Sequence, residues 1–348
     1  MLFRSRRFRG IALAEAPRLL CHDGPMDLWT LSDLSTPWCV HVVATLRVAE
    51  HIEAGKGEIG ALAEAAGADR EALDRVMRHL VGKGLFEQPE RGRFALNELS
   101  RGLLEAPMRL GLDLDSLGGR MAHSWVTLLS AVRTGGSAYH EAFGRTFWDD
   151  LDAHPKIAAD FDRMIGPEGH GTPDPQVLVN EADWAEIRTV VDIGGGTGGL
   201  LAEILSAHPE VRGTLVDVPR AVAQSDAIFH AAGVADRATA VGQSFFDPLP
   251  PGCDLYILKS VLGDWPDREA AAILKRCADA ARPAGRVVVF NVAAPGEEAS
   301  TDLLMLVLVG GKERTFEEFQ EMARAAGLGV SASGRQPTGR RIVECRPV

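Results

Sequence analysis

The sequence predicts an α/β protein. A Rossmann-like, mainly parallel sheet with an antiparallel last strand should follow a mainly α-helical N-terminal domain of winged-helix pattern. Three observations predict it. From Arg188 onward, short apolar runs alternate with amphipathic segments, as in a parallel sheet covered on both faces. One strand-to-helix turn reads Gly194-Gly195-Gly196-Thr197-Gly198-Gly199. Near the start, three helical segments are followed by two short extended runs around a glycine turn.

These signals divide the chain into four segments: an arm (1–27), a winged-helix domain (28–105), a helical linker (106–180) and a nucleotide-binding domain (181–348). The arm carries Arg4, Arg6, Arg7 and Arg9, but Glu15, Pro17 and Arg18 interrupt the apolar run behind them, so an export signal is not expected. Pro37–Ile52 and Ile59–Ala66 read as helices, the second ended by Gly67. Asp69 should cap a third, Arg70–Gly82, in which Leu73, Val76, Met77 and Leu80 recur at helical spacing. Residues 84–96 form the wing. The linker is helical but broken at Gly118-Gly119, Gly135-Gly136 and the Gly166–Pro175 run. Strands are expected at Thr189–Ile193, Gly213–Asp217, Ala238–Val241, Asp254–Lys259, Arg286–Ala293, Gly327–Ala332 and Arg340–Arg346. Helices should lie at Gly198–Ala207, Pro219–Ala232, Asp267–Ala281 and Thr315–Ala326. Residues 334–339 are too few for a crossover, so the last two strands form a hairpin.

Composition narrows the function. The chain has 348 residues, 46% of them apolar, enough for more than one core. Lys plus Arg number 37 against 48 Asp plus Glu, a net charge of −11, which argues against nucleic acid as a partner. A transcriptional regulator built on the winged helix is therefore the weaker reading of that domain. No apolar run approaches the ~18 residues of a membrane span. Cys21, Cys39, Cys253, Cys277 and Cys345 are widely spaced, with no C-x-x-C. Reduced thiols in a cytoplasm are expected, and no metal site.

The glycine turn after Val190-Val191-Asp192-Ile193 lets backbone approach a ligand closely at a helix N-terminus. Asp217 ends the next strand, where a carboxylate grips a ribose. The pattern alone fits NAD as well as S-adenosylmethionine. Asp192 just before the glycines suits an ammonium group. No second catalytic domain follows, and the closing hairpin suits a methyltransferase sheet. These favour S-adenosylmethionine, with S-adenosylhomocysteine as product.

The runs TPWCVHVVATLRVAEHI, AVRTGGSAYHEAFGRTFWDDL, VVDIGGGTGGLLAEIL, SFFDPLP, LYILKSVLGDWPD and LMLVLVGGKERTFEEF resemble the small-molecule O-methyltransferases with an N-terminal dimerisation domain. The likeness covers Leu28 to Val348 and is greatest to the bacterial aromatic-polyketide branch, which includes a non-methylating hydroxylase. It implies a homodimer that acts on a hydroxyl of an aromatic or polyketide acceptor. For the cofactor it implies Asp192, Gly194, Gly195, Gly196, Asp217, Phe245, Lys259 and Ser260. Ser244 stands where the family usually has an adenine-binding Asp. For the acceptor it implies Phe161, Met164, Met305 and Val309, all equally explicable as core.

The base is where this chain departs from the pattern. The plant enzymes place a catalytic His before Asp-Trp; here Gly263 precedes Asp264-Trp265. The Glu that orients that His is replaced by Asn291, and only Glu313 of Glu-Arg-Thr is kept. Candidate catalytic groups are then Glu313, His170 and Asp264, where Asp264 could equally be a helix cap. Alternatively the acceptor arrives ionised. The loss of the His also raises a non-methylating reading, in which the bound cofactor serves hydroxylation, decarboxylation or a pericyclic step.

Overall fold

The computed structural model describes residues 28–165, 177–290, 299–335 and 341–348. Contacts divide the chain into two units, one ending at Leu104 and one starting at Glu105.

In the first unit the expected Pro37–Ile52 helix is two helices, Ser35–Thr45 and Val48–Glu53. They break at Arg47, whose φ of 54° is left-handed. Val43 and Ala44 are buried, and so are Val48 and Ala49. Five residues of straight helix would place those pairs about 140° apart, so the break lets both face one core. Glu58 caps Ile59–Ala66 by accepting from the Gly60 and Ala61 N–H groups, at 2.8 and 3.2 Å. Asp69 caps Arg70–Gly82 by accepting from Ala72 N–H at 2.8 Å. The wing is β1 (Phe86–Glu90) paired with β2 (Arg93–Leu96). On Arg70–Gly82 the arginines are committed to acids: Arg70 to Glu58, Arg75 to Glu71 and Arg78 to Asp74. A DNA-reading helix would need those cations for phosphates and bases.

The second unit opens with six helices from Ala106–Leu112 to Pro155–Ile165, which share a core with Ala299–Val309. Its sheet comprises β3 (Thr189–Ile193), β4 (Arg212–Asp217), β5 (Ala238–Gly242), β6 (Leu255–Leu258), β7 (Arg286–Phe290), β8 (Leu328–Arg335) and β9 (Arg341–Pro347). The order is β5-β4-β3-β6-β7-β9-β8. Pairs among β3 to β7 are parallel; β9, the last in the chain, runs antiparallel to both its neighbours. Every residue of β6 and β7 is buried, as two covered faces require. Alternate residues feed separate cores: Val191, Ile193, Tyr256 and Leu258 on one face, Val190, Leu255 and Ile257 on the other. The chain winds outward from β3 in both directions, so the crevice beyond the strand ends of β3, β4 and β6 is the topological switch point. The expected Pro219–Ala232 helix is split into Pro219–Val222 and Ser225–Ala231.

Candidate active site

The glycine turn leaves β3 at that crevice. Gly194 and Gly196 take φ of 67° and 61°, a region costly for any residue with a Cβ. Gly195 is excluded from substitution by space: a Cβ there would lie 2.3 Å from Asp192 Oδ2 and 2.6 Å from Leu215 Cδ1. Asp192 is 1% exposed, and among the described residues neither carboxylate oxygen has a hydrogen-bond partner. Desolvation pushes its pKa up to about 7; Lys259 opposes the shift and Asp217 adds to it. Asp217 accepts from Gly196 N–H at 2.8 Å and from Val218 N–H at 2.7 Å, which ties the strand end to the glycine turn. Phe245 lies 3.6 Å from where a Gly194 Cβ would stand. The Ser244 hydroxyl accepts from Phe246 N–H at 3.2 Å, so it first serves its own turn. Ser260, directly after Lys259, has a left-handed φ of 56°.

The acceptor side starts where β6 ends. Leu262–Asp264 is a single 3-10 turn. Among the described residues a Cβ at Gly263 would meet nothing within 4 Å, so they leave open space where a side chain would project. Asp264 is half-buried, and desolvation raises its pKa to about 7. The helix Asp267–Ala280 has Pro266 as N-cap and no side-chain cap bond, so Asp264 is not the cap that sequence allows. An aromatic wall links the two sides. Phe245 meets Trp265 edge-on at 5.8 Å, Trp265 stacks on Trp148 at 6.3 Å, and Trp148 meets Phe161 edge-on at 5.8 Å.

Of the lining candidates, Phe161 joins this wall. Met164 is 9% exposed and lies in the helical core. Its neighbour Ile165 takes the outward place, with Cδ1 3.8 Å from a Gly196 Cβ position. Val309 packs against the same helical core, and the Met305 carbonyl accepts from Gly311 N–H at 3.2 Å. Glu313 is held through its backbone N–H, which donates to Asp302 Oδ1 at 2.8 Å. His170 and Asn291 lie outside the described residues. Two residues escaped the sequence reading. Ile165 sits one position beyond the Met chosen by resemblance, and helical phase decides between them. Arg314 follows Glu313 in the same motif and is buried against the Leu262–Trp265 loop.

These residues suit S-adenosylmethionine. A buried carboxylate with no hydrogen-bond partner among the described residues suits a cation, and the ligand's ammonium is one. A turn too close-packed for a Cβ lets backbone meet a ligand. Asp217 is anchored by two N–H groups and has lone pairs left for ribose hydroxyls. The comparisons agree. Residues 125–329 match the O-methyltransferase domain, and residues 29–106 match the O-methyltransferase dimerisation domain. The chain is 43% identical to the 2,7-dihydroxy-5-methyl-1-naphthoate 7-O-methyltransferase of Streptomyces carzinostaticus, over 88% of this chain and 94% of that one. It is 36% identical to the aclacinomycin 10-hydroxylase RdmB of Streptomyces purpurascens, over 88% and 84%. The crystal structure of the O-methyltransferase NcsB1 from neocarzinostatin biosynthesis, with S-adenosylmethionine and 2-hydroxy-5-methyl naphthoic acid, matches with a TM-score of 0.85. Identity there is 40%, over 93% of this chain and 99% of that one.

Fold and site together define a methyltransferase that uses S-adenosylmethionine. More narrowly, the chain belongs to the O-methyltransferase family whose members carry an N-terminal dimerisation domain. It is a homodimer-forming enzyme. In the single chain Leu28, Trp29, Leu31 and Leu34 stand 67–79% exposed, an apolar edge of the kind a second copy covers. Among the described residues no helix is long and apolar enough to cross a membrane.

Proposed function

We propose that this enzyme methylates a hydroxyl of an aromatic, polyketide-type acceptor, and that Asp264 takes the proton a histidine takes elsewhere in the family. The carrying observation, among the described residues, is the pairing of open space at Gly263 with a half-buried carboxyl beside it. When bound, S-adenosylmethionine would supply an electrophilic methyl group to the acceptor oxygen, with the C–S bond breaking as the C–O bond forms and S-adenosylhomocysteine leaving. The protein's part is placement and proton removal. Trp148, Trp265 and Phe161 offer ring faces and edges to a flat acceptor. Gly263 leaves room for a second fused ring. With a pKa of about 7, Asp264 is close to the optimum for a general base at neutral pH. Residues 106–180 act in this reading as the lid over the acceptor, and the enzyme works in the cytoplasm. The relatives' naphthoate substrates support a bicyclic or larger aromatic acid as acceptor.

A single-turnover pH series with a dihydroxynaphthoic acid tests it. Asp264→Asn should slow methyl transfer ~10²–10³-fold and remove the ionisation near neutrality. In His170→Ala that ionisation should remain. A wild-type rate in Asp264→Asn would return the proton to His170 or to an already ionised acceptor. One specific finding favours a second reading: the hydroxylase among the relatives, together with the missing His. If acceptor and cofactor both bind and no S-adenosylhomocysteine forms, that reading stands instead.

A further inference from the structure

The loop from β6 to the Asp267–Ala280 helix holds Gly263 and Asp264, yet it has little of its own to hold it in shape. Gly263 has no side chain, and Leu262–Asp264 is only one turn. Such backbone keeps a single conformation when its carbonyls are bonded from outside. Three of them are, and all three bonds come from residues 312–314. Lys312 N–H donates to the Gly263 carbonyl at 3.0 Å. Arg314 Nη1 donates to the Leu262 carbonyl at 2.7 Å, and Nη2 to the Trp265 carbonyl at 2.7 Å. The approach is so close that a Cβ on Gly311 would stand 2.1 Å from the Gly263 oxygen.

Arg314 itself is 5% exposed. Its remaining bonds go from Nε to Asp267 Oδ1 at 3.0 Å and from Nη1 to the Lys312 carbonyl at 3.0 Å. Every guanidinium nitrogen is used. The two carbonyls it bridges flank Gly263-Asp264 on either side. Only a planar fork spans them together; an ammonium is a point donor.

We infer that Arg314 is a positioning residue for methyl transfer: its guanidinium braces Leu262 and Trp265 and so holds the Asp264 carboxyl in one place. This rests on the role of Asp264 proposed above. A double-mutant cycle in single turnover, with the dihydroxynaphthoic acid as acceptor, reads the coupling. Arg314→Lys should slow methyl transfer ~30-fold or more, in line with the ~10²-fold that a 1 Å misplacement can cost. The affinity for S-adenosylmethionine should stay within ~3-fold, because the cofactor carboxylates are anchored elsewhere. In the Asp264→Asn background the same substitution should cost under ~3-fold. Exchange of the Asp264 and Trp265 amides, which bond to Val261 and Leu262 carbonyls, should quicken ~10-fold in Arg314→Lys. If Arg314→Lys does not fold, Asp267→Ala removes the acceptor that holds Arg314 Nε and should shift rate and exchange in the same directions, less strongly. Unchanged exchange, or an undiminished cost in the Asp264→Asn background, overturns the brace. A wild-type rate in Asp264→Asn alone instead overturns the proposed base, and the exchange measurement still decides whether Arg314 holds the loop.

Discussion

Asp192, buried at the end of β3, and Asp264, half-buried on the turn after β6, are both raised to about 7 by desolvation, and they are built differently. Asp192 stands on β3, wholly enclosed, with no partner for either oxygen. Asp264 stands on a turn, half open, beside a void. A rigid strand holding an unpaired charge is a site prepared for a fixed ligand. A carboxyl on a braced turn next to open space serves a ligand of variable shape. In the function proposed above the same pKa serves two purposes: on β3 it reflects the cost of a buried carboxyl awaiting an ammonium, and on the turn it suits a base.

The largest effect expected on the cofactor side comes from Asp192→Asn. Truncating one partner of a buried charge pair costs ~2–5 kcal/mol, so calorimetry at pH 8 should find S-adenosylmethionine bound at least ~30-fold more weakly. Wild-type affinity should rise with pH up to about 7, as the empty site's carboxyl ionises, and the variant should lose that slope. Stability should move the opposite way. The folded pKa lies above the unfolded 3.8, so the folded state holds the extra proton and the ligand-free enzyme loses stability as pH rises from ~4 to about 7. Asp192→Asn should therefore raise the ligand-free Tm at pH 8, with the gain shrinking toward pH 4. A lower Tm at pH 8 would mean that the carboxyl is not the strained group described here.

Gly195→Ala comes next. Its Cβ would overlap Asp192 and Leu215, and overpacking of ~1–3 kcal/mol should appear as ~10-fold weaker cofactor binding. Equal affinity would show that the turn gives way easily, and the contrast between a rigid and an adaptable side would weaken. Asp217→Ala should cost ~1–2 kcal/mol of cofactor affinity, since it removes a charged acceptor and leaves Gly196 N–H unbonded. Smallest is Gly263→His, with a change in kcat of under ~3-fold for a small phenol because proton removal is already served. Its mark should be selective: kcat/KM falls for a bicyclic acceptor and not for a monocyclic one. A large gain in kcat would show that the site lacks a base.

The cofactor side was the legible one for a physical reason. Asp192, Gly194, Gly195 and Gly196 are neighbours in the chain, and Asp217 ends the adjacent parallel strand, so strand register alone brings them together. Local chemistry was equally plain in the ends read from the sequence: Asp69 and Gly67 act through atoms within four residues. The left-handed break at Arg47 was not, because that conformation is costly for an arginine and here the burial of Val43 and Ala44 before it and of Val48 and Ala49 after it offsets the cost.

The sequence by itself determined the strand-helix alternation, the antiparallel last strand, the glycine turn and the two acids that flank it, since each follows from periodicity or from the demands of backbone near a ligand. Tertiary structure decided the rest. It turned Met164 into the helical core and Ile165 outward, joined Trp148 to Trp265 across 117 positions, and withdrew the capping role from Asp264. It also set Arg314 against Leu262 and Trp265, 52 and 49 residues away. No local rule places a guanidinium under a loop that far back in the chain. Only the packing of the Lys312–Arg314 segment against the end of β6 brings them within hydrogen-bond reach.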